Sequence, residues 1–145
     1  MEVITVGEKF NCKYSFRETC FGIVKNDNKI LIVTKNNQYS LVGGGIEKGE
    51  TFEECLKREF LEESGYSITN FKELICVDCY WLAANKYPML SKANIFEVEV
   101  DLINKKEAKE IDCYIEWIDI NSSIDLLPLP YHKKALKYYI EKFYC

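Results

Sequence analysis

The chain has 145 residues, is 48% hydrophobic and 29% charged, and carries a formal net charge of −4. That is the composition of one globular domain, expected to span residues 1–145. The acidic balance excludes nucleic-acid binding by bulk electrostatics, and no apolar run is long enough to cross a bilayer, so neither nucleic acid nor membrane is an expected partner.

Met1 to Thr5 lacks the basic and apolar regions of a secretory signal. The seven cysteines are odd in number and irregularly spaced, which argues against a disulfide framework and for a reducing, cytoplasmic setting. An anionic substrate would need a local positive centre, such as a metal ion.

Residues 19–24 and 30–33 are β-branched and apolar and predict strands. Asn26, Asp27 and Asn28 between them carry turn chemistry. A second turn at 35–38 precedes a short extended run over 39–42. Gly43, Gly44, Gly45 and Gly49 then crowd into seven positions. Thr51 and Glu54 form a capping box, which opens a helix over about 52–64, and Gly65 stands where a left-handed cap belongs.

Strands follow at 74–82 and 93–100, joined by a loop around 86–88. A polar loop at 104–111 leads to a strand at 114–120. Cys76 and Cys79 make a C-x-x-C, read as two reduced cysteines in a strand, with a zinc half-site or redox pair as the other readings. Pro130 opens a last helix whose apolar stripe is Leu136, Ile140 and Phe143. His132, the only histidine, is expected to be a surface or capping residue. This order predicts a mixed sheet with helices packed on its faces.

The first helix breaks its own pattern. At about 100° per residue, Phe52, Cys55, Leu56 and Phe60 share one stripe. Continued, that stripe meets Glu59, Glu62 and Glu63, three neighbouring carboxylates. Like charges on an inward face repel one another and resist desolvation. Two readings stand: they share magnesium, or the stripe turns out to solvent. The glycine-rich turn favours the first, because its backbone can approach the cluster closely and offer carbonyl or N–H groups.

These residues also match a known pattern. Gly44, five residues, Glu50, seven residues, then Arg58-Glu59-Phe60-Leu61-Glu62-Glu63-Ser64-Gly65-Tyr66 resembles the complete Nudix box. The resemblance implies an α/β/α sandwich with a mixed sheet, the box helix on one side and a C-terminal helix. It implies hydrolysis of a nucleoside diphosphate linked to another group, with Mg²⁺ or Mn²⁺ as cofactor.

By residue, it implies that Glu59, Glu62 and Glu63 bind the metal, with the Gly44 carbonyl as a further ligand. Arg58 would orient the catalytic carboxylate, Glu59 would be the first candidate for the base, and Glu50 would support the box. A further acidic ligand would come from Glu107, Glu110, Asp112 or Glu116, with Glu110 preferred. Val42 replaces the proline that many members place before the paired glycines, which removes a rigid φ but no ligand.

Substrate recognition is less legible. Arg17 and Lys35 are candidates for phosphate, and Tyr39 and Trp81 for a base, with Phe16, Phe21, Tyr80 and Tyr87 also available. The chain's size resembles the MutT-like group, which implies a (d)NTP pyrophosphohydrolase. ADP-ribose or dinucleoside polyphosphate hydrolysis is an alternative, and so is a nucleotide-sensing module without turnover. An isoprenyl diphosphate isomerase would need a pocket cysteine, and none of the seven is assigned to that role. Relatives are often dimers, so a homodimer is an expected assembly.

Overall fold

The computed structural model describes residues 1–144. Nine strands and three helices run in the order β1 (Val3–Val6), β2 (Ser15–Ile23), β3 (Lys25–Asn26), β4 (Lys29–Lys35), β5 (Gln38–Ser40), β6 (Val42–Gly45), α1 (Phe52–Glu63), β7 (Ile68–Leu82), β8 (Pro88–Val100), β9 (Cys113–Asp119), α2 (Ile120–Leu126) and α3 (Pro130–Tyr144). Five strands form a mixed sheet in the order β1-β7-β8-β2-β6. β1 runs parallel to β7 and β2 parallel to β8, while β7–β8 and β2–β6 are antiparallel. A second, antiparallel sheet is built on β4, which pairs with β3, β5 and β9.

Alternation along the strands makes this a sandwich. Phe21, Ile23, Ile75, Val77, Ala93 and Ile95 face one core with Leu136 and Tyr139 of α3. Cys20, Phe96 and Val98 face the other, with Cys55, Leu56 and Phe60 of α1. β4 divides in the same way, sending Ile30 and Ile32 to the first core and Leu31 and Val33 to the second. The box helix and the C-terminal helix thus cover opposite faces, as expected.

Local chemistry explains the connections. Asn36 and Asn37 take φ of 50° and 61° in the two-residue turn that pairs Lys35 with Gln38, the primed geometry that suits a hairpin. Thr51 caps α1 reciprocally: its hydroxyl accepts the Glu54 N–H at 3.1 Å, and the Glu54 carboxylate accepts the Thr51 N–H at 3.2 Å. Gly65 leaves the helix at φ 76°, and a Cβ there would stand 1.9 Å from the Lys106 carbonyl oxygen.

Several expectations need correction. β1 and α2 are elements that the sequence pattern does not predict. β7 begins at Ile68 and β8 at Pro88, so the hairpin is longer than its apolar runs suggest. β9 ends at Asp119, whose side chain caps α2 through the Asn121 N–H. Phe143 is 44% exposed, and the buried face of α3 is His132, Ala135, Leu136 and Tyr139. Cys76 and Cys79 are free and buried in β7. Three residues apart on a strand, they point to opposite faces, which is unsuited to sharing one ion.

His132 is not a surface residue: it is 0% exposed. Its Nδ1 accepts the Leu41 N–H at 3.4 Å, and the Phe21 ring lies edge-on at 4.3 Å. Nε2, which then carries the proton, is the one buried side-chain polar atom without a partner among the described residues. Burial lowers its pKa from 6.5 to about 3. A depressed folded pKa contributes stability above pH 6.5 that is lost as pH falls towards 3. His132→Phe should therefore remove about 2 kcal/mol of the stability lost between about pH 7.5 and pH 5. Thermal melts at the two pH values test this, and an equal drop in both proteins would contradict it.

Candidate active site

The carboxylates of α1 gather against the edge strand β6. Phe60 and Leu56 anchor the helix in the core, and the same stripe carries Glu59 and Glu63 inward, where they are 7% and 2% exposed. Both stay inside because the protein supplies partners. Glu63 Oε1 accepts the Gly43 N–H at 3.0 Å, and Oε2 pairs with the Lys35 ammonium. Glu59 Oε1 accepts from Arg58 Nη1 at 2.8 Å. Burial raises the pKa of both, that of Glu63 to about 7.

Arg58 is the hub of this cluster. Its Nε and Nη2 grip Glu50 at 2.6 and 2.8 Å, Nη2 also reaches the Gly45 carbonyl at 3.0 Å, and Nη1 touches Glu62 at 3.3 Å. This two-pronged hydrogen bond from Arg58 holds Glu50 down at a pKa of about 2. The helix, the glycine strand and the preceding loop are therefore tied together by one guanidinium.

Gly44 lets β6 approach the Glu59 carboxylate closely. A Cβ at this position would lie 2.6 Å from Glu59 Oε1. A side chain here would have to displace the Glu59 carboxylate.

Glu62 and Glu110 complete the cluster. The loop before β9 is pinned by the Glu110 N–H donating to the Glu62 carbonyl at 2.9 Å. Oxygens of Glu59, Glu62 and Glu110 all lie within 4.8 Å of one another, and so do ligand atoms of Glu63, Glu110 and Cys113. Of the four acidic residues considered beyond the box, Glu110 alone joins such a group among the described residues.

Cys113, to which the sequence pattern assigns no role, also joins this pocket. Its thiol donates to Glu110 Oε2 at 3.0 Å, and burial with that bond raises its pKa to about 12. Its position three residues beyond Glu110 is the signal the sequence offers, but only the pairing of β9 with β4, Cys113 opposite Lys35, brings it in.

The substrate candidates divide. Lys35 lies inside the cluster, bonded to Glu63 and, at 3.0 Å, to the Gly43 carbonyl. Arg17 is exposed on β2 beside Gly45, where a Cβ would lie 3.7 Å from its Nη2. Arg17 pairs in register with Ser91, whose hydroxyl accepts the Trp81 indole N–H at 2.9 Å, so Trp81 stands on the same side of the sheet, 42% exposed. Tyr39 packs partly against the core near α3, and Phe21 is buried within that core. Tyr80 meets Tyr14 edge-on at 5.1 Å, while Phe16 and Tyr87 are exposed.

Comparison with known proteins gives a consistent picture. The family model described as NUDIX domain matches residues 16–142. A NAD-capped RNA hydrolase NudC of Vibrio atlanticus is 42% identical over 53 residues, 34% of this chain and 20% of the relative. An ADP-ribose pyrophosphatase of Methanocaldococcus jannaschii is 43% identical over 61 residues, 39% of this chain and 36% of the relative. The matched stretches thus span a minor part of these relatives' lengths.

Among solved structures, a MutT protein from Bacillus halodurans superposes with a TM-score of 0.68 at 22% identity, covering 83% of this chain and 80% of that one. A MutT NUDIX hydrolase from Burkholderia pseudomallei gives 0.64 at 22% identity, covering 86% and 98%. At these identities the likeness is one of fold.

Proposed function

The chain belongs to the Nudix family of pyrophosphohydrolases, and from that premise we propose that it hydrolyses the phosphoanhydride bond of a nucleoside diphosphate linked to another group, with Mg²⁺ or Mn²⁺ as cofactor. The observation that carries this reading is the convergence of Glu59, Glu62 and Glu110 oxygens within 4.8 Å beside the glycine strand. An all-oxygen donor set suits a hard divalent cation. Glu59, Glu62, Glu63 and Glu110 would hold it, with the Gly44 carbonyl as a further ligand. When bound, such a cation neutralises diphosphate oxygens and lowers the pKa of a coordinated water.

The chain's own groups do the rest. Glu59, set among these carboxylates, is the first candidate to accept the water's proton, and Arg58 fixes the direction of its carboxylate. Arg17 makes no hydrogen bond or ion pair among the described residues, and its charge beside Gly45 is available to a phosphate. Trp81 and Tyr39 are the candidates to stack on the base. Gly44→Ala should push the Glu59 carboxylate aside and lower kcat by about 10- to 100-fold, with the fold retained. Unchanged turnover in a folded variant would remove Glu59 from this role.

A (d)NTP of the MutT type is one candidate substrate. A second, favoured by the names of the sequence relatives, is a dinucleotide-like diphosphate such as ADP-ribose or NAD. The net charge of −4 gives no general attraction to RNA. Nucleoside monophosphate release from (d)NTPs, ADP-ribose, diadenosine polyphosphates, NADH and NAD-capped RNA separates these readings. Tight nucleotide binding without any release would favour the sensing module instead.

A further inference from the structure

Of the four carboxylates placed to hold the cation, Glu63 alone has both oxygens bonded within the protein among the described residues. Oε1 takes the Gly43 N–H and Oε2 takes the Lys35 ammonium, which also donates to the Gly43 carbonyl at 3.0 Å. The Glu63 side chain is 2% exposed and that of Lys35 27%, so this pair is shielded from water on the Glu63 side. Among the described residues, the Glu62 carboxylate is held only by Arg58, at 3.3 Å, and that of Glu110 accepts only the Cys113 thiol. A divalent cation drawing on Glu63 Oε2 would stand within a few ångströms of the Lys35 ammonium, and like charges at that separation repel strongly in a partly buried site.

We propose that Lys35 is the resident counter-ion of Glu63, that it competes with the divalent cation for this carboxylate, and that loading the site releases it. The lysine then couples two states. Without a cation it holds Glu63 and the β6 backbone in place, and with a cation its ammonium is free beside the site. A compact, flexible ammonium suits this exchange better than a forked guanidinium would. The inference rests on the carboxylate cluster being the cation site.

The test is a direct Mn²⁺ titration at about pH 8, read by the electron paramagnetic resonance of free Mn²⁺, on the wild type, Lys35→Met and Lys35→Arg. Lys35→Met should bind Mn²⁺ at least about tenfold more tightly, and Lys35→Arg, whose forked guanidinium holds Glu63 more firmly, should bind no more tightly than the wild type. Equal or weaker binding by a folded Lys35→Met overturns the proposal. No binding by the wild type overturns the site reading beneath it, a distinguishable failure. Should Lys35→Met not fold, acetylation of Lys35 in the wild type, followed by mass spectrometry, serves instead. The rate should rise severalfold on adding Mn²⁺, and an unchanged rate overturns the proposal.

Discussion

Replacing Glu62 and Glu63 together with glutamine should leave a folded protein whose turnover is lower by about 10³-fold or more. Glutamine keeps the volume of each side chain, and its carbonyl can still accept the Gly43 N–H that Glu63 Oε1 accepts now. What disappears is negative charge, and with it the neutralisation of a bound cation. Lys35 loses its charged partner, but at 27% exposure it can turn to water. The circular dichroism spectrum should therefore stay close to wild type while kcat collapses. Near-normal rates in the double variant would sink the assignment of these carboxylates.

The second large effect is expected at Arg58. Its guanidinium bonds Glu50 twice and Glu59, Glu62 and the Gly45 carbonyl once each, and its side chain is 22% exposed against 11% and 10% for the side chains of Glu50 and Glu59. Arg58→Met leaves two shielded carboxylates without their cation, a loss of about 2–4 kcal/mol after allowance for partial exposure. For a chain of this size that lowers Tm by about 10 °C. Because Glu59 also loses its orientation, kcat should fall by about 100-fold. Arg58→Lys restores charge but not the fork, so it should recover only part of either loss. A variant melting and turning over like wild type would contradict the hub role.

What was legible in the chain was mostly local. The Thr51–Glu54 box, the Gly65 cap and the inward stripe through Phe60 to Glu59 and Glu63 depend on spacing within one helix, and all stand as expected. The asparagine turn at Asn36–Asn37 is equally local. Features decided by pairing between distant segments were less visible. β1 is four residues long and owes its existence to β7, and α2 carries a polar Asn121-Ser122-Ser123 run that reads as loop. His132 has the sequence position of a helix-start surface residue, but the packing of α3 against Phe21 and Leu41 buries it.

The same division holds within the site. Glu59, Glu62 and Glu63 come from one helix and announce themselves by spacing, while Arg58 is expected from the resemblance to the Nudix box. Glu110 could be preferred among four acidic candidates, but its placement depends on a backbone bond to Glu62. Cys113 required the β4–β9 register, and the Lys35–Glu63 pair required the packing of α1 beside β4 and β6, neither of which the sequence states. The residues that would read the base are spread over β2, β5 and β7, and so remain the least defined part of the site.

The most direct measurement is nucleoside monophosphate release from the substrate panel, with Mg²⁺ or Mn²⁺ and then with chelator, by wild type and by the Glu62→Gln, Glu63→Gln double variant. Release of a monophosphate from at least one substrate, dependent on the divalent cation and lost in the double variant, is the result expected. Turnover that persists in chelator, or survives loss of both carboxylates, would contradict a hydrolase built on the Glu59–Glu62–Glu63 cluster.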